Sequence, residues 1–453
     1  MVNRLNFWSR LSTEWRFAIS TFLVARVFLW LWSLVVYAIF PASLSNLELS
    51  GEPVLAFFNL HTGERVLYSR QVGGEVLTFR ALDANHSIDL QTGSVWSMQS
   101  GQALEGRLSG TNLSASSRDV EEVFPYLGVP PARGLLLSLW QRFDVNWYLK
   151  IAGQGYHEND GSTVYFPIYP MLVRGVSLVL PPMLAAVMIS NAALIAALAL
   201  LYRLFSRISD ETVARRALVY FLIFPSAFFL TVAYSESLFL LFCLASFDCA
   251  SQRQWGWAAL WGAFSALTRL QGVLMVIPLV YMLWRELRGT TLSIQLLRAL
   301  PLGVIPLATL CFQTVTNMSI LNVYEGMLRA QFVLPWENVW AAFSLALHGS
   351  ASAVDVINLL VTVGLVAAMF TVWKKLPFEY TLYALLMFVA PMLRMTTTQP
   401  LVSMLRYALV IFPVFFVLGS WGRNPWVNRM VLYLSFPLQL YLSAQFILWG
   451  WVA

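Results

Sequence analysis

An almost uninterrupted apolar run from Ile19 to Phe40 constrains this chain more than any other feature. About 20 apolar residues in a helix cross the roughly 30 Å hydrocarbon core of a bilayer. Lipid offers the backbone no hydrogen bonds, so only helices and closed barrels span it. The run is longer than the core of a secretory signal, and no Ala-x-Ala site accompanies it. It reads as a retained first span with a cytoplasmic N-terminus behind Arg4, Arg10 and Arg16. Apolar stretches of this kind recur through the second half of the chain. Charged residues are 11% of the whole, against about 25% in a soluble domain. Water-soluble classes are thereby excluded, and the chain is expected in a membrane, as a multi-pass protein of a prokaryotic plasma membrane.

Further spans are expected at about 183–203, 216–232, 236–250, 256–270, 271–285, 299–317, 354–373, 378–394, 404–419 and 430–450. Basic residues cluster between them: Arg203, Arg207, Arg215 and Arg216; Arg253; Arg285, Arg288 and Arg298; Lys374 and Lys375; Arg423 and Arg429. All of these fall on the cytoplasmic side if the segment 165–180 is interfacial or re-entrant and does not cross. That choice gives about eleven transmembrane helices and an outside C-terminus. The loops also account for the net charge of +6, so no nucleic acid is implied. Cys243, Cys249 and Cys311 lie in or beside apolar spans without ligand spacing and read as small buried hydrophobes.

Residues 41–131 break the pattern. They are polar, rich in Gly and Ser, and carry short alternating runs: RVLYS, GEVLTFRAL, HSIDL and ALEGRLSG. The organisation expected is therefore a cytoplasmic N-terminus and first helix (1–40), a β-rich extracytoplasmic insert (41–131), an outer loop with interfacial or re-entrant helices (132–182), and a multi-helix transmembrane domain (183–453). The fold class is an all-α polytopic membrane protein carrying that insert.

Three stretches could carry chemistry on the outer face. Arg142 to Pro170 packs acids, a histidine and seven aromatic rings into one loop. A carboxylate there could take a proton from a sugar hydroxyl as its oxygen attacks an anomeric carbon, and Asp144 is the first candidate. The structural alternative for Asp144 is a charge or cap at a helix N-terminus. His157, Glu158 and Asp160 follow in a glycine-marked loop and could bind acceptor hydroxyls. Asp144, Glu158 and Asp160 together could hold a divalent cation, Mg or Mn, through oxygen ligands. In the second stretch, Tyr234-Ser235-Glu236-Ser237 interrupts apolar sequence; Glu236 could bind substrate hydroxyls or pair with an arginine such as Arg269, and a plain turn is the alternative. The third element is arginine. Arg269 and Arg406 sit in apolar segments, with Arg394 nearby, and a guanidinium fork suits a phosphate. Salt bridges to Glu236 or Asp144 are the alternative, and both roles can coexist. No phosphate loop, HExxH zinc site or convincing GxSxG elbow occurs, and no cytoplasmic segment is large enough for a nucleotide-binding domain.

FDVNWYLKIAGQGY at 143–156, YFPIYP at 165–170 and FPSAFFLTVAYSESLF at 224–239 resemble the GPI mannosyltransferase II (PIG-V type) family and its prokaryotic relatives. TRLQG at 268–272 and SMLRYALVIFP at 403–413 support the resemblance. It implies a GT-C-like membrane glycosyltransferase that takes a hexose, usually mannose, from a polyprenyl- or dolichyl-phosphate donor and inverts the anomeric carbon. Asp144 matches the family's catalytic acid, with Phe143 standing where tryptophan is common. The acceptor is a lipid, a glycan or a protein, and the insert at 41–131 is no part of the resemblance. Two rival classes remain at this point: a transporter or flippase of a lipid-linked glycan, and a non-catalytic assembly protein.

Overall fold

The computed structural model describes residues 11–157, 160–316, 330–396 and 399–452. Arg4, Arg10 and the candidate Glu158 lie outside the described residues. The chain divides into two compact units, one of Phe28–Asn146 with Ser443–Trp451, the other of Met1–Val27, Trp147–Leu442 and Val452–Ala453. The first apolar run forms helix α1 (Thr13–Ile39).

The unit built on 28–146 contains the β-rich insert. β1 (Ala42–Leu49), β2 (Glu52–Asn59) and β3 (Arg65–Ser69) make an antiparallel sheet in the order β1-β2-β3. β4 (Gln71–Val72) and β5 (Glu75–Val76) form a small ribbon. β6 (Phe79–Ala81), β7 (His86–Asp89), β8 (Val95–Ser97) and β9 (Ala103–Glu105) follow as a four-stranded antiparallel meander. All four expected runs contain strand, and RVLYS is β3 itself. Their inward residues, Leu55, Phe57, Tyr68, Phe79 and Trp96 among them, share one core.

The sheets turn on a repeated device. Asn59-Leu-His-Thr-Gly63 and Asp89-Leu-Gln-Thr-Gly93 each close with the glycine N–H donating to the first residue's carbonyl. In each, the first side chain accepts backbone N–H bonds from the loop, Asn59 from His61 and Thr62, Asp89 from Thr92. Gly63 and Gly93 sit at φ 75° and 68°, where a side chain would be strained. Buried Arg142 ties 443–451 into this unit. Its Nε donates to the Ile447 carbonyl (2.8 Å), its Nη1 to the Ser138 carbonyl (2.8 Å), and its guanidinium lies over the rings of Phe58 and Trp449.

The other unit is helical: α2 (Asp144–Gln154, shared at its first turn with the unit above), α3 (Ile168–Val176), α4 (Pro182–Ile208), α5 (Glu211–Ile223), α6 (Glu236–Ser251), α7 (Trp255–Ala266), α8 (Val276–Glu286), α9 (Leu292–Ala299) and α10 (Val304–Val315). Strand β10 (Ala330–Phe332) and helices α11 (Pro335–Leu347), α12 (Ala353–Lys375) and α13 (Phe378–Met392) lead to β11 (Arg394–Thr396), which pairs with β10. α14 (Met404–Tyr407), α15 (Phe412–Trp421) and α16 (Pro425–Ile447) complete it.

The expected count of eleven spans is corrected. Among the described residues, five helical stretches are long and apolar enough to cross a membrane: Thr13–Ile39, Pro182–Ile208, Leu292–Val315, Ala353–Lys375 and Pro425–Ile447. A sixth arises if Met404–Val410 and Phe412–Trp421, bent by 85°, count as one. The reason is local. Residues 216–285 are largely apolar, but helices α5, α6, α7 and α8 have 13, 16, 12 and 11 residues. At 1.5 Å per residue these reach about 16–24 Å, short of the hydrocarbon thickness. Pro225 follows the end of α5, and 3₁₀ turns at Ala227–Leu230 and Leu270–Met275 interrupt the rest. α3 has nine residues, fewer than a crossing needs. Several basic residues of the loops are also paired: Arg203 and Arg207 with Asp248, Arg423 with Asp210, Arg285 with Glu379.

Candidate functional site

Polar residues are expensive inside an apolar bundle, so a cluster of them marks the place to look. Such a cluster forms where α6 begins. The chain leaves the 3₁₀ turn Ala227–Leu230, passes Tyr234 and Ser235, and enters α6 at Glu236, whose side chain is 1% exposed. A carboxylate in a first helical turn is favoured by the backbone dipole. Here it also meets two cations. Glu236 Oε1 accepts from Arg269 Nη1 at 2.6 Å and from Arg406 Nε. Both arginine side chains are only 11% exposed. Two guanidiniums and one carboxylate leave this trio with one net positive charge.

Each arginine is presented by irregular backbone. Arg269 is extended (φ −151°) between α7 and the 3₁₀ turn of Leu270–Met275. That turn lies so close to α7 that a Cβ on Gly272 would fall 2.3 Å from the Ser265 carbonyl, so this approach needs glycine. Arg406 sits in the single turn α14, after Ser403 in left-handed conformation. Rings flank the charges: Arg406 lies 4.6 Å from the Tyr234 ring centroid and 5.3 Å from that of Phe229, and Arg269 lies 5.8 Å from that of Tyr407. The Tyr407 phenol lies within the field of Arg394, Arg269 and Arg406.

Behind the trio runs a hydroxyl network. Ser235 Oγ accepts from Arg269 Nη1 (3.2 Å) and lies 2.7 Å from the Tyr148 hydroxyl. Either hydroxyl of that pair can be the donor. Tyr148 packs against Tyr165, Tyr169 and Tyr234. Tyr169 in turn lies 2.8 Å from Ser190 Oγ, which donates to the Tyr234 carbonyl at 2.8 Å.

The structure thus brings together Glu236, Arg269, Arg406 and the Tyr234 ring, and sets the charge of Arg394 near them. The Glu236–Arg269 pair that the sequence allowed is present. Ser235 and Tyr148 are additions that carried no charge signal. Asp160 stands apart in an ion pair with Lys150 (2.9 Å) and accepts the Ser162 N–H (2.8 Å). Burial pushes its carboxyl up, but Ser162 and Lys150 pull harder and hold it below its ordinary value, which makes it a poor base. His157 is exposed and bonded through its backbone to Ser162. Asp144 is half-buried and opens α2, preceded by Phe143 at φ 48°, a strained conformation for a bulky residue. Among the described residues no three His, Cys, Asp or Glu gather as a metal site.

Residues 130–325 match the family model described as mannosyltransferase (PIG-V). The match covers the motifs at 143–156, 165–170, 224–239 and 268–272, and so Asp144, Tyr234, Glu236 and Arg269. Arg394 and Arg406 lie beyond it. The family resemblance read from the motifs holds over that stretch, which is less than half of the chain, and it supports glycosyltransferase activity in general. No curated protein matches the chain.

Proposed function

We propose that this protein is an inverting glycosyltransferase that moves mannose from a polyprenyl-phosphate donor to an extracytoplasmic acceptor, which is a lipid, a glycan or a protein. The observation that carries the reading is the buried Arg269–Glu236–Arg406 trio. Membrane proteins keep buried cations where an anion must be met. A polyprenyl tail stays in lipid while its phosphate sits at the level of such a pair.

In the reaction, Asp144 takes the proton of an acceptor hydroxyl. The oxygen forms a bond to the anomeric carbon as the bond from that carbon to the phosphate oxygen breaks. The electron pair leaves on polyprenyl phosphate, and Arg269 and Arg406 stabilise the charge that develops there. Glu236 keeps both guanidiniums in register between turnovers. One displacement inverts the anomeric centre. Tyr234, Asp160, His157 and Glu158 shape the acceptor side. The N-terminus is cytoplasmic and the site opens to the opposite face.

Sugar transfer by the purified, reconstituted chain tests the reading. Radiolabelled polyprenyl-phosphate mannose is offered with native membrane lipids and glycans, alongside Asp144→Asn. Labelled product that falls at least about 10²-fold in the variant supports it. An intact donor, moved across the bilayer without a new glycosidic bond, overturns it in favour of transport. Runs with EDTA and then with added Mg or Mn read a metal requirement.

A further inference from the structure

The segment that joins Arg394 to Arg406 contains two non-glycine residues in left-handed backbone, Leu401 (φ 51°) and Ser403 (φ 64°). Side chains other than glycine hold such conformations only where their surroundings over-determine them. Here the surroundings are three buried polar side chains from three separate elements. Asn338 of α11 accepts from the Leu401 N–H (2.6 Å) and donates to the carbonyls of Met392 (3.0 Å) and Arg394 (2.8 Å). Asn358 of α12 accepts from the Leu405 N–H (2.9 Å). Ser226 donates to the Leu405 carbonyl (2.7 Å).

Asn338 is 0% exposed and Asn358 3%. An amide in such a place is costly unless bonded. Every one of these side-chain bonds ends on backbone from 392 to 405, the segment that delivers the two arginines.

We infer that Asn338 and Asn358 are positioning residues that fix the backbone aiming Arg394 and Arg406, and so set affinity for the phosphate of the lipid-linked donor. The inference rests on the proposed role of Arg406 at that phosphate. Two N–H groups must meet two oxygens at hydrogen-bond distance, and a guanidinium on a loosened segment cannot hold that geometry. The loss therefore falls on the donor and spares the acceptor.

The test uses the full chain in liposomes. Rates are taken against polyprenyl-phosphate mannose and, separately, against acceptor; sugar-free polyprenyl phosphate serves as inhibitor. Asn358→Ala is expected to raise the donor KM and the inhibitor Ki about 10- to 100-fold, with the acceptor KM unchanged. Asn358→Asp keeps an oxygen opposite the Leu405 N–H and restores most of the loss. Asn358→Ala added to Arg406→Gln costs nothing further. Asn338→Ala and Asn358→Ser give the same readout should Asn358→Ala fail to fold. A folded variant that keeps its donor KM, or that raises both KM values equally, overturns the inference alone. A wild-type chain that neither transfers sugar nor binds polyprenyl phosphate removes the functional reading, and the inference with it.

Discussion

Replacing Glu236 with Gln takes away the carboxylate that Arg269 and Arg406 share while keeping its size. The Gln oxygen can still accept a bond, so the variant isolates charge from shape. Breaking a buried ion pair by removing one partner costs about 3–5 kcal/mol, because the other charge stays buried. For a chain of this size that corresponds to a fall in Tm of about 3–5 °C. The decisive variant is the double one. If stranded cations are the cost, Glu236→Gln with Arg269→Gln is more stable than Glu236→Gln alone. The assay is thermal unfolding of the detergent-purified protein followed by tryptophan fluorescence, with each single and the double in parallel. Polyprenyl phosphate should raise the Tm of Glu236→Gln more than that of wild type, since it supplies the missing negative charge. A single-variant shift under about 2 °C, or a double that falls by the sum of the singles, refutes the argument.

Three further outcomes are expected. Arg142→Ala takes from the Ile447 carbonyl its side-chain donor and costs about 1–3 kcal/mol, read as early protease cleavage within 28–146; burial lowers the Arg142 pKa to about 10, which keeps it charged at neutral pH. Asp89 is buried, which pushes its carboxyl up, but bonds from Trp96, Thr92 and Ser94 outweigh this and hold it below its ordinary value. Its contribution is full above the unfolded value of about 3.9 and is lost as pH falls through the lower folded value, so Asp89→Asn weakens the insert at pH 7 but flattens its loss of stability as pH falls below that unfolded value. In a cysteine-free background, cysteine at exposed Ser350 labels from outside the cell and cysteine at exposed Gln252 does not; labelling of both from one side sinks the orientation proposed above.

The sequence made some elements plain and hid others for physical reasons. RVLYS was legible as β3 from a short Val- and Tyr-containing run between turn residues, and its neighbours Leu67 and Tyr68 are both buried. The long run at 183–203 became α4 because nothing in it interrupts the helix. Between 216 and 285 hydropathy misled. It reports how apolar a stretch is and not where its helix stops; the polar loop at 252–254 is visible, but the other breaks lie at Pro225 and in turns whose own residues are apolar. Charge in an apolar setting was the clearest signal at the site. Glu236, Arg269 and Arg406 stood out for that reason, although Arg406 meets Glu236 across 170 residues of chain. Asn338 and Asn358 did not stand out, since an uncharged polar residue resembles any other helix-surface residue until its partner is known. Isolated asparagines within WENVWAAF and VDVINLLV were the available hint.

Arg142 binds residues 443–451 into the unit that holds the insert, and this has a consequence for the order of events during synthesis. The strands at 42–105 leave the ribosome early, yet the segment that completes their unit follows about 300 residues later. At about 5–20 residues per second, the unit waits on the order of 15–60 s for its last piece while the helices between are inserted. During that interval the rings of Phe58 and Phe124 lack Trp449 as a neighbour. A chain without residues 443–451 would retain the strands and the Arg269–Glu236–Arg406 trio and still present an unfinished insert to quality-control proteases.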